Sequence, residues 1–263
     1  MQAFIGSIQL FGGETVAPGY LTLQTVTEGA EIWYTTNGNC PRDDLENRIL
    51  YKEPIYLEPG EYYFRIRACR NGVYSEGLPL HLTVFAFDDV AETDWFYNAV
   101  YHCYGKGYFK GVSETLFAPR STMTRAMFAT VLYRIAGEPE VTGSSPFGDV
   151  PDGKWYTNPI IWASGEGIIL GYGNGIFGRE DPVTREQMVT LFWRYQNRPA
   201  AAEPDLSAFT DADMISGWAK EAFEWAVSVG VINGKGNGIL DPKGTATRAE
   251  VAQIVMNFDT KVR

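Results

Sequence analysis

One sequence pattern occurs three times in succession, and it constrains the fold of this chain more than any other feature. Each copy opens with a Phe-x-Asp segment, continues through a tryptophan and a Gly-x-x-x-Gly segment, and ends in Thr-Arg. The tryptophans and arginines are Trp95 and Arg125, Trp155 and Arg185, and Trp218 and Arg248. In every copy 30 residues separate the two, and the copies follow at intervals of 60 and 63 residues. This regularity predicts three copies of one structural unit.

Each copy is predicted to form two helices joined by a glycine-rich connection. The apolar residues after each tryptophan have helical spacing, and the tryptophan itself is expected in the core because large aromatic residues in such patterns are usually buried. The second helix is predicted to begin at the threonine, which would be its N-cap. Thr184-x-x-Gln187 and Thr247-x-x-Glu250 have the form of capping boxes, whereas Met127 takes the partner position in the first copy.

The arginine of each copy would occupy the first position of the second helix. The partial positive charge of a helix N-terminus disfavours a cation there by roughly 0.3–1 kcal/mol. Two explanations are open: an ion pair with the aspartate of the same copy, or a site where the guanidinium and unpaired helix-end amides bind an anion. We favour the anion site, because the same unfavourable placement occurs three times. On that interpretation, Arg→Ala should leave stability unchanged or raise it.

These motifs resemble the S-layer homology domain, in three consecutive copies over about residues 87–263. Thr247-Arg-Ala-Glu250 matches the family signature in full, and the other two copies depart from it. The resemblance implies a pseudo-threefold bundle of helices whose grooves hold a secondary cell wall polysaccharide linked to peptidoglycan, often through a pyruvylated amino sugar. It also implies an exported protein at the bacterial cell surface, in the cell wall or S-layer.

The resemblance assigns roles to nine residues. The arginines would hold the ligand carboxylate, the aspartates would contact sugar hydroxyls or the arginine, and one glycine of each Gly-x-x-x-Gly segment would line the site. The candidate ligand-binding residues are therefore Arg125, Arg185, Arg248, Asp89, Asp149, Asp211, Gly111, Gly171 and Gly234. The three grooves are expected to be unequal. Arg179 stands where the other copies have proline, and Pro159 is expected to interrupt a helix.

Residues 1–86 are predicted to form a small β-sandwich of six or seven strands. Apolar residues alternate with polar ones in several segments, and Asn37-Gly38 and Asn71-Gly72 have the composition of hairpin turns. This region resembles the immunoglobulin-like domain at the C-terminus of some chitobiases, which implies a spacer or accessory module. The predicted fold class is therefore multi-domain α and β, an Ig-like sandwich followed by a helical triplet. The predicted domain limits are 1–86, 87–145, 146–206 and 207–263.

Composition and charge exclude several classes of function. Lys and Arg number 22 against 32 Asp and Glu, a net charge of −10, and no basic block occurs, which disfavours nucleic acid or anionic membrane as a partner. No apolar run reaches the roughly 20 residues of a membrane span. His81 and His102 are expected at the surface, without a nucleophile motif nearby. Cys40 and Cys69 are expected to be free thiols, and no metal or cofactor is predicted.

The sequence as a whole predicts a non-catalytic segment that anchors a surface protein to the cell wall. Two alternatives stay open. The first is a structural protein that assembles itself into a surface lattice. The second is an accessory C-terminal region of a cell-surface glycoside hydrolase.

Overall fold

The chain divides into two compact units in the computed structural model, which describes residues 1–6, 8–202 and 205–262. The first unit contains Met1–Ala91 with Tyr104–Lys106 and Ser113–Leu116. The second contains Glu92–Cys103, Gly107–Val112 and Phe117–Arg263. Among the described residues, no helix is both long enough and apolar enough to cross a membrane.

The N-terminal region forms two β-sheets. Its strands are β1 (Gln2–Ile5), β2 (Ile8–Leu10), β3 (Glu14–Val16), β4 (Gly19–Gln24), β5 (Glu31–Thr35), β6 (Ile49–Leu50), β7 (Ile55–Leu57), β8 (Gly60–Arg70), β9 (Val73–Tyr74) and β10 (Leu78–Val84). One antiparallel sheet has the order β2-β1-β4-β7. The other has the order β3-β10-β8-β5-β6, with β9 paired to β8. Only the β10–β3 pair of these described strands is parallel.

The sandwich is held by a core to which both sheets contribute. Leu21 and Leu23 of β4 and Phe64 and Ile66 of β8 are buried in one cluster, as their alternation with polar residues predicts. The expected six or seven strands are too few, because the described residues form ten strands, several of which have only two or three residues. Short edge strands of that length leave almost no alternating pattern in the sequence.

Asn71-Gly72 forms the two-residue turn between β8 and β9, with positive φ at both residues, as its composition predicts. Asn37-Gly38 does not join paired strands directly, since it lies in the long connection between β5 and β6.

Within the part of the chain that the structure describes, six α-helices follow the sandwich. They are α1 (Tyr97–Gly105), α2 (Arg125–Ile135), α3 (Thr157–Gly165), α4 (Arg185–Tyr195), α5 (Lys220–Ser228) and α6 (Arg248–Lys261), and two short 3-10 helices span Ala212–Met214 and Gly217–Ala219. The second helices of the repeats are α2, α4 and α6. Each begins directly after its threonine, as predicted, and both capping boxes are present.

Backbone and aromatic contacts connect the three second helices in the second unit. Before each helix one residue donates a backbone hydrogen bond to another repeat: Met123 N to Ala246 O, Ala246 N to Val183 O, and Val183 N to Met123 O, at 3.0, 3.3 and 3.0 Å. The three bonds form a closed ring. Within the helices themselves, the aromatic ring of Phe192 contacts those of Phe128 and Phe258, with centroids 5.3 and 4.6 Å apart. The segment before each arginine is therefore hydrogen-bonded to both of the other repeats.

Candidate functional site

The N-terminus of each second helix is already occupied by hydrogen bonds. The third amide donates to the threonine hydroxyl oxygen, at 3.3 Å in all three helices. The first two amides donate to carbonyls of a different repeat. The acceptors are Asp181 and Arg179 for α2, Gly244 and Pro242 for α4, and Ser121 and Pro119 for α6. The expectation of unpaired helix-end amides is therefore wrong, because tertiary contacts between repeats satisfy these donors.

The arginine side chains reach across to the loop of a neighbouring repeat. Their Nε atoms donate to backbone carbonyls: Arg125 to Phe177 at 3.0 Å, Arg185 to Leu240 at 2.7 Å, and Arg248 to Phe117 at 2.7 Å. All three residues are buried, with exposed fractions of 7%, 3% and 8%. The first repeat thus contacts the second, the second contacts the third, and the third contacts the first.

Aromatic rings support two of the three guanidinium groups. The guanidinium carbon of Arg125 lies 4.4 Å from the ring centroid of Tyr172 and 4.7 Å from that of Phe177. That of Arg248 lies 4.5 Å from the ring of Phe117 and 5.4 Å from the ring of Phe109. Cation–π contacts of this kind stabilise a charge that has been removed from water.

The aspartates of the second and third repeats hold the loops that receive the arginines. Asp149 accepts hydrogen bonds from the backbone amides of Phe177 and Gly178, both at 2.8 Å. Burial alone would raise the pKa of the Asp149 carboxyl, but these amide hydrogen bonds outweigh burial and lower it. The peptide units on either side of Phe177 therefore bind Asp149 through the nitrogen and Arg125 through the carbonyl.

The third repeat has the same arrangement. Asp211 accepts from the amides of Leu240 and Asp241 at 2.9 and 2.7 Å, and the carbonyl of Leu240 accepts from Arg185. Burial would again raise the pKa of Asp211, and the amide bonds lower it. Asp89, the candidate of the first repeat, is half-buried and belongs to the first compact unit.

An ion pair within one repeat was one of the two explanations left open for the arginines, and the structure shows contacts between repeats instead. The charge of Asp149 acts on Arg125, and that of Asp211 acts on Arg185. Among the described residues, no carboxylate lies within salt-bridge distance of Arg125 or Arg185. The sequence could not reveal this, because pairing across repeats depends on which repeat lies next to which.

The outer ends of two guanidinium groups are available for a ligand. Burial lowers the pKa of Arg125 and Arg185, nearby carboxylates oppose this, and a guanidinium stays charged at neutral pH. Within the described part of the chain, the terminal nitrogens Nη1 and Nη2 of both residues make no hydrogen bond, and none of them is enclosed. Arg248 differs, since its Nη2 donates to the carbonyl of Lys110 at 2.8 Å. The two terminal nitrogens of a guanidinium form a planar fork whose geometry matches that of a carboxylate.

The glycine candidates have structural reasons to be glycine. Gly171 has a φ of +68°, and a Cβ there would lie 2.6 Å from Cε1 of Phe147. Gly234 has a φ of +78°, and its Cβ would lie 2.6 Å from the carbonyl oxygen of Ile239. Gly111 is half-buried at the matching position of the first repeat. A side chain at Gly171 or Gly234 would force the backbone of its loop to change conformation. A ligand contact of the three glycines stays a prediction.

The repeat tryptophans are exposed, and the expectation of a core position is wrong. The exposed fractions of Trp95, Trp155 and Trp218 are 63%, 59% and 52%. The helical pattern was extended too far towards the N-terminus, because α1 begins at Tyr97 and α3 at Thr157. Each tryptophan therefore lies ahead of its helix and presents its ring to solvent.

Two further expectations need correction. Pro159 does not interrupt a helix, since it is the third residue of α3, in the first turn where its missing amide is not needed. His102 is not a surface residue: its Nε2 lies 2.8 Å from Oδ2 of Asp259, and both side chains are 12% exposed. His81 is exposed, as expected. Cys40 and Cys69 are free cysteines, which confirms that prediction.

Comparison with known proteins agrees with this architecture. The S-layer homology domain profile matches residues 86–129, 146–189 and 208–252, which is half of the chain. The chain belongs to the S-layer homology domain family. Residues 21–77 match the profile described as Fn3 associated, which confirms the Ig-like character of the N-terminal region. Both matched families are non-catalytic domains.

The similar proteins are larger. An amylopullulanase of Thermoanaerobacterium thermosulfurigenes is 34% identical over 64% of this chain and 9% of its own length. The S-layer protein sap of Bacillus anthracis is 30% identical over 66% of this chain and 21% of its own length. A cellulosome-anchoring protein of Acetivibrio thermocellus is 26% identical over 56% of this chain and 34% of its own length.

The matches thus span from a tenth to a third of these relatives, and the enzymatic name of the amylopullulanase reflects other regions of that protein. S-layer homology domains bind cell wall polymers, and this chain is a cell-surface, cell-wall-associated protein.

Proposed function

We propose that the chain anchors a surface protein by binding an anionic secondary cell wall polysaccharide, of which a pyruvylated amino sugar is the recognised group. The observation that carries this proposal is the outer end of Arg125, where Nη1 and Nη2 have no hydrogen-bond partner among the described residues. A ketal-linked pyruvate presents one carboxylate beside a sugar ring. A guanidinium fork of fixed direction binds such a carboxylate with two parallel hydrogen bonds.

The fixed direction of the fork is the contribution of the fold. The Nε hydrogen bond and the aromatic contacts hold the guanidinium before any ligand arrives, so little side-chain entropy is lost on binding. The aspartates act on the ligand indirectly, since they hold the loop that aligns the arginine. The exposed rings of Trp95, Trp155 and Trp218 are suited to contact the apolar face of a sugar.

We further propose that the repeats occupy residues 87–145, 146–206 and 207–263 in a pseudo-threefold arrangement, after a sandwich over residues 1–86. Support comes from the closed ring of backbone hydrogen bonds and from the arginines, each of which contacts the following repeat. Three clefts then lie between successive repeats. We call them by their arginines: the Arg125 cleft, the Arg185 cleft and the Arg248 cleft.

The relatives bear on the two alternatives. This chain is similar to an amylopullulanase, an S-layer protein and a cellulosome-anchoring protein, whose names describe different activities. Wall attachment is the property that would serve all three. We therefore favour anchoring over lattice assembly or support of a particular hydrolase.

Sedimentation with wall sacculi tests the proposal. Three preparations are compared: native sacculi, sacculi stripped of secondary polymer, and sacculi from which mild acid has removed ketal-linked pyruvate. We expect the chain to sediment with native sacculi only. Equal binding to stripped sacculi would contradict polymer recognition, whereas equal binding after pyruvate removal would contradict only the assignment of the carboxylate. Formation of sheets by the purified chain without sacculi would favour the lattice alternative.

A further inference from the structure

The three clefts differ at the residue that follows the loop glycine. The loops that receive the arginines align without gaps over residues 111–119, 171–179 and 234–242. After the glycine stand Val112 in the first repeat, Tyr172 in the second and Lys235 in the third. The three side chains differ in charge, in aromatic character and in their contacts. An inference about their roles rests on the function proposed above.

The Arg125 cleft combines a free fork with an aromatic ring. The ring of Tyr172 contacts the guanidinium of Arg125, and 52% of Tyr172 remains exposed. Nη1 and Nη2 of Arg125 have no hydrogen-bond partner among the described residues. An anionic sugar could therefore bind its carboxylate to Arg125 while its ring contacts the exposed part of Tyr172, without displacing a contact within the protein.

The Arg185 cleft is occupied by an internal ion-pair network. The ammonium of Lys235 lies 2.9 Å from Oδ2 of Asp241 and 3.3 Å from Oε1 of Glu250. The same two carboxylates act electrostatically on Arg185. An incoming anion would be repelled by both of them or would have to compete with them for Lys235. No aromatic ring contacts Arg185 within the described residues.

A second ion pair marks the same junction between the second and third repeats. Glu186, next to Arg185, is 5% exposed, and both of its carboxylate oxygens accept hydrogen bonds from Nζ of Lys243, at 2.8 and 2.9 Å. The matching residues of the other helices are Ala126 and Ala249. At this position only the junction between the second and third repeats has a carboxylate, since the other two helices have alanine. The buried pair of Glu186 and Lys243 connects the two repeats and leaves neither charge for a ligand.

The Arg248 cleft is intermediate. Nη2 of Arg248 donates to the carbonyl of Lys110, so part of the fork is already used. Val112 is 57% exposed, but it has neither a ring nor a charge to offer.

We propose that the Arg125 cleft is the principal site for the anionic sugar, that the ring of Tyr172 determines its affinity, and that the carboxylates of Asp241 and Glu250 close the Arg185 cleft to an anion. The Lys235 ammonium is held between these two carboxylates and is not offered to a ligand. Loss of the ring at position 172 should therefore weaken binding, whereas loss of the Lys235 charge should not strengthen it.

The test uses the full chain and native wall sacculi, with affinity measured by sedimentation. Tyr172→Leu, which removes the ring without adding a charge, should weaken binding about tenfold, the upper end of the range for a lost aromatic contact, while Tyr172→Phe, which keeps the ring, should weaken it less. Lys235→Tyr should not strengthen binding, since it leaves the carboxylates of Asp241 and Glu250 without their cation beside Arg185. The free energy of unfolding, measured on the same preparations, shows whether each variant is folded.

The outcomes separate this inference from the proposed function. Parent affinity of Tyr172→Leu, or stronger binding by Lys235→Tyr, would overturn the ranking of the clefts and leave wall anchoring intact. Failure of the parent chain to discriminate native from stripped sacculi would overturn the proposed function itself. If Tyr172→Leu does not fold, Lys235→Tyr decides: stronger binding by this variant overturns the inference.

Discussion

Replacement of Arg125 by alanine tests whether the arginine is a structural as well as a binding residue. From the sequence, Arg→Ala was expected to leave stability unchanged or raise it, because a cation is disfavoured at the first turn of a helix. In the structure, Nε of Arg125 donates to the buried carbonyl of Phe177, and the guanidinium contacts two rings. The variant loses a charged hydrogen bond worth roughly 1.5–3 kcal/mol and cation–π contacts worth roughly 0.5–2 kcal/mol. We expect the free energy of unfolding to fall by about 2–5 kcal/mol.

Arg185→Ala is the matched comparison. Its Nε donates to the carbonyl of Leu240, so it loses the hydrogen bond, but no ring contacts it among the described residues. We expect the free energy of unfolding to fall less than in Arg125→Ala, and the difference between the two variants should be about 0.5–2 kcal/mol. Arg120→Ala, at an exposed position of the segment before α2, is the control and should leave the free energy of unfolding unchanged.

Urea unfolding followed by circular dichroism at the helical wavelength measures these free energies, since all six helices lie after the sandwich. A parent-like midpoint for Arg125→Ala would refute the argument that the guanidinium supports the fold. An equal loss for Arg125→Ala and Arg185→Ala would refute the contribution assigned to the rings. Wall binding is measured on the same preparations, so that a loss of binding in a still folded variant can be assigned to the missing fork.

Three further predictions concern the elements that hold the arginines. Asp149→Ala should lower the free energy of unfolding, measured in urea, by roughly 2–4 kcal/mol, because two backbone amides lose a charged acceptor. Asp152→Ala, at an exposed position of the same segment, is the control. A parent-like free energy for Asp149→Ala would contradict its role in holding the loop. The pKa values of Asp149 and Asp211 are lowered in the folded state, so their contribution to stability is complete above the ordinary carboxyl pKa of 3.8 and is lost as pH falls below it. The stability of Asp149→Asn in acid should therefore depend less on pH than that of the parent. Thr184→Ala should lower the free energy of unfolding by roughly 1 kcal/mol, since it removes an N-cap with its capping box. Thr190→Ser, which keeps the hydroxyl that donates to the carbonyl of Glu186, should lower it less. Equal melting temperatures of Thr184→Ala and the parent would show that the cap contributes nothing.

The sequence alone was sufficient to predict the second helix of each repeat and the residue at which it begins. The threonine, the residue three positions later and the apolar spacing after it are sufficient to predict where α2, α4 and α6 begin, because capping involves only neighbouring residues. The same holds for the Asn71-Gly72 turn, whose positive φ values suit these two residues. The triplicate pattern also predicted that the arginines lie at helix starts, and it led to the family.

Only the tertiary structure decided what surrounds those arginines. The sequence pattern gives the position of Arg125 in its own helix, but its hydrogen-bond acceptor, Phe177, is 52 residues away in another repeat. The helix-end amides that were expected to be unpaired are bonded to carbonyls of a neighbouring repeat. Asp149 and Asp211, which one open explanation paired with the arginine of their own repeat, hold a loop instead. The tryptophans were misassigned for a related reason, since burial depends on where the chain turns before each helix. Periodicity and capping report contacts within a few residues, whereas the surroundings of the arginines are built from contacts between repeats and form only once the repeats have packed.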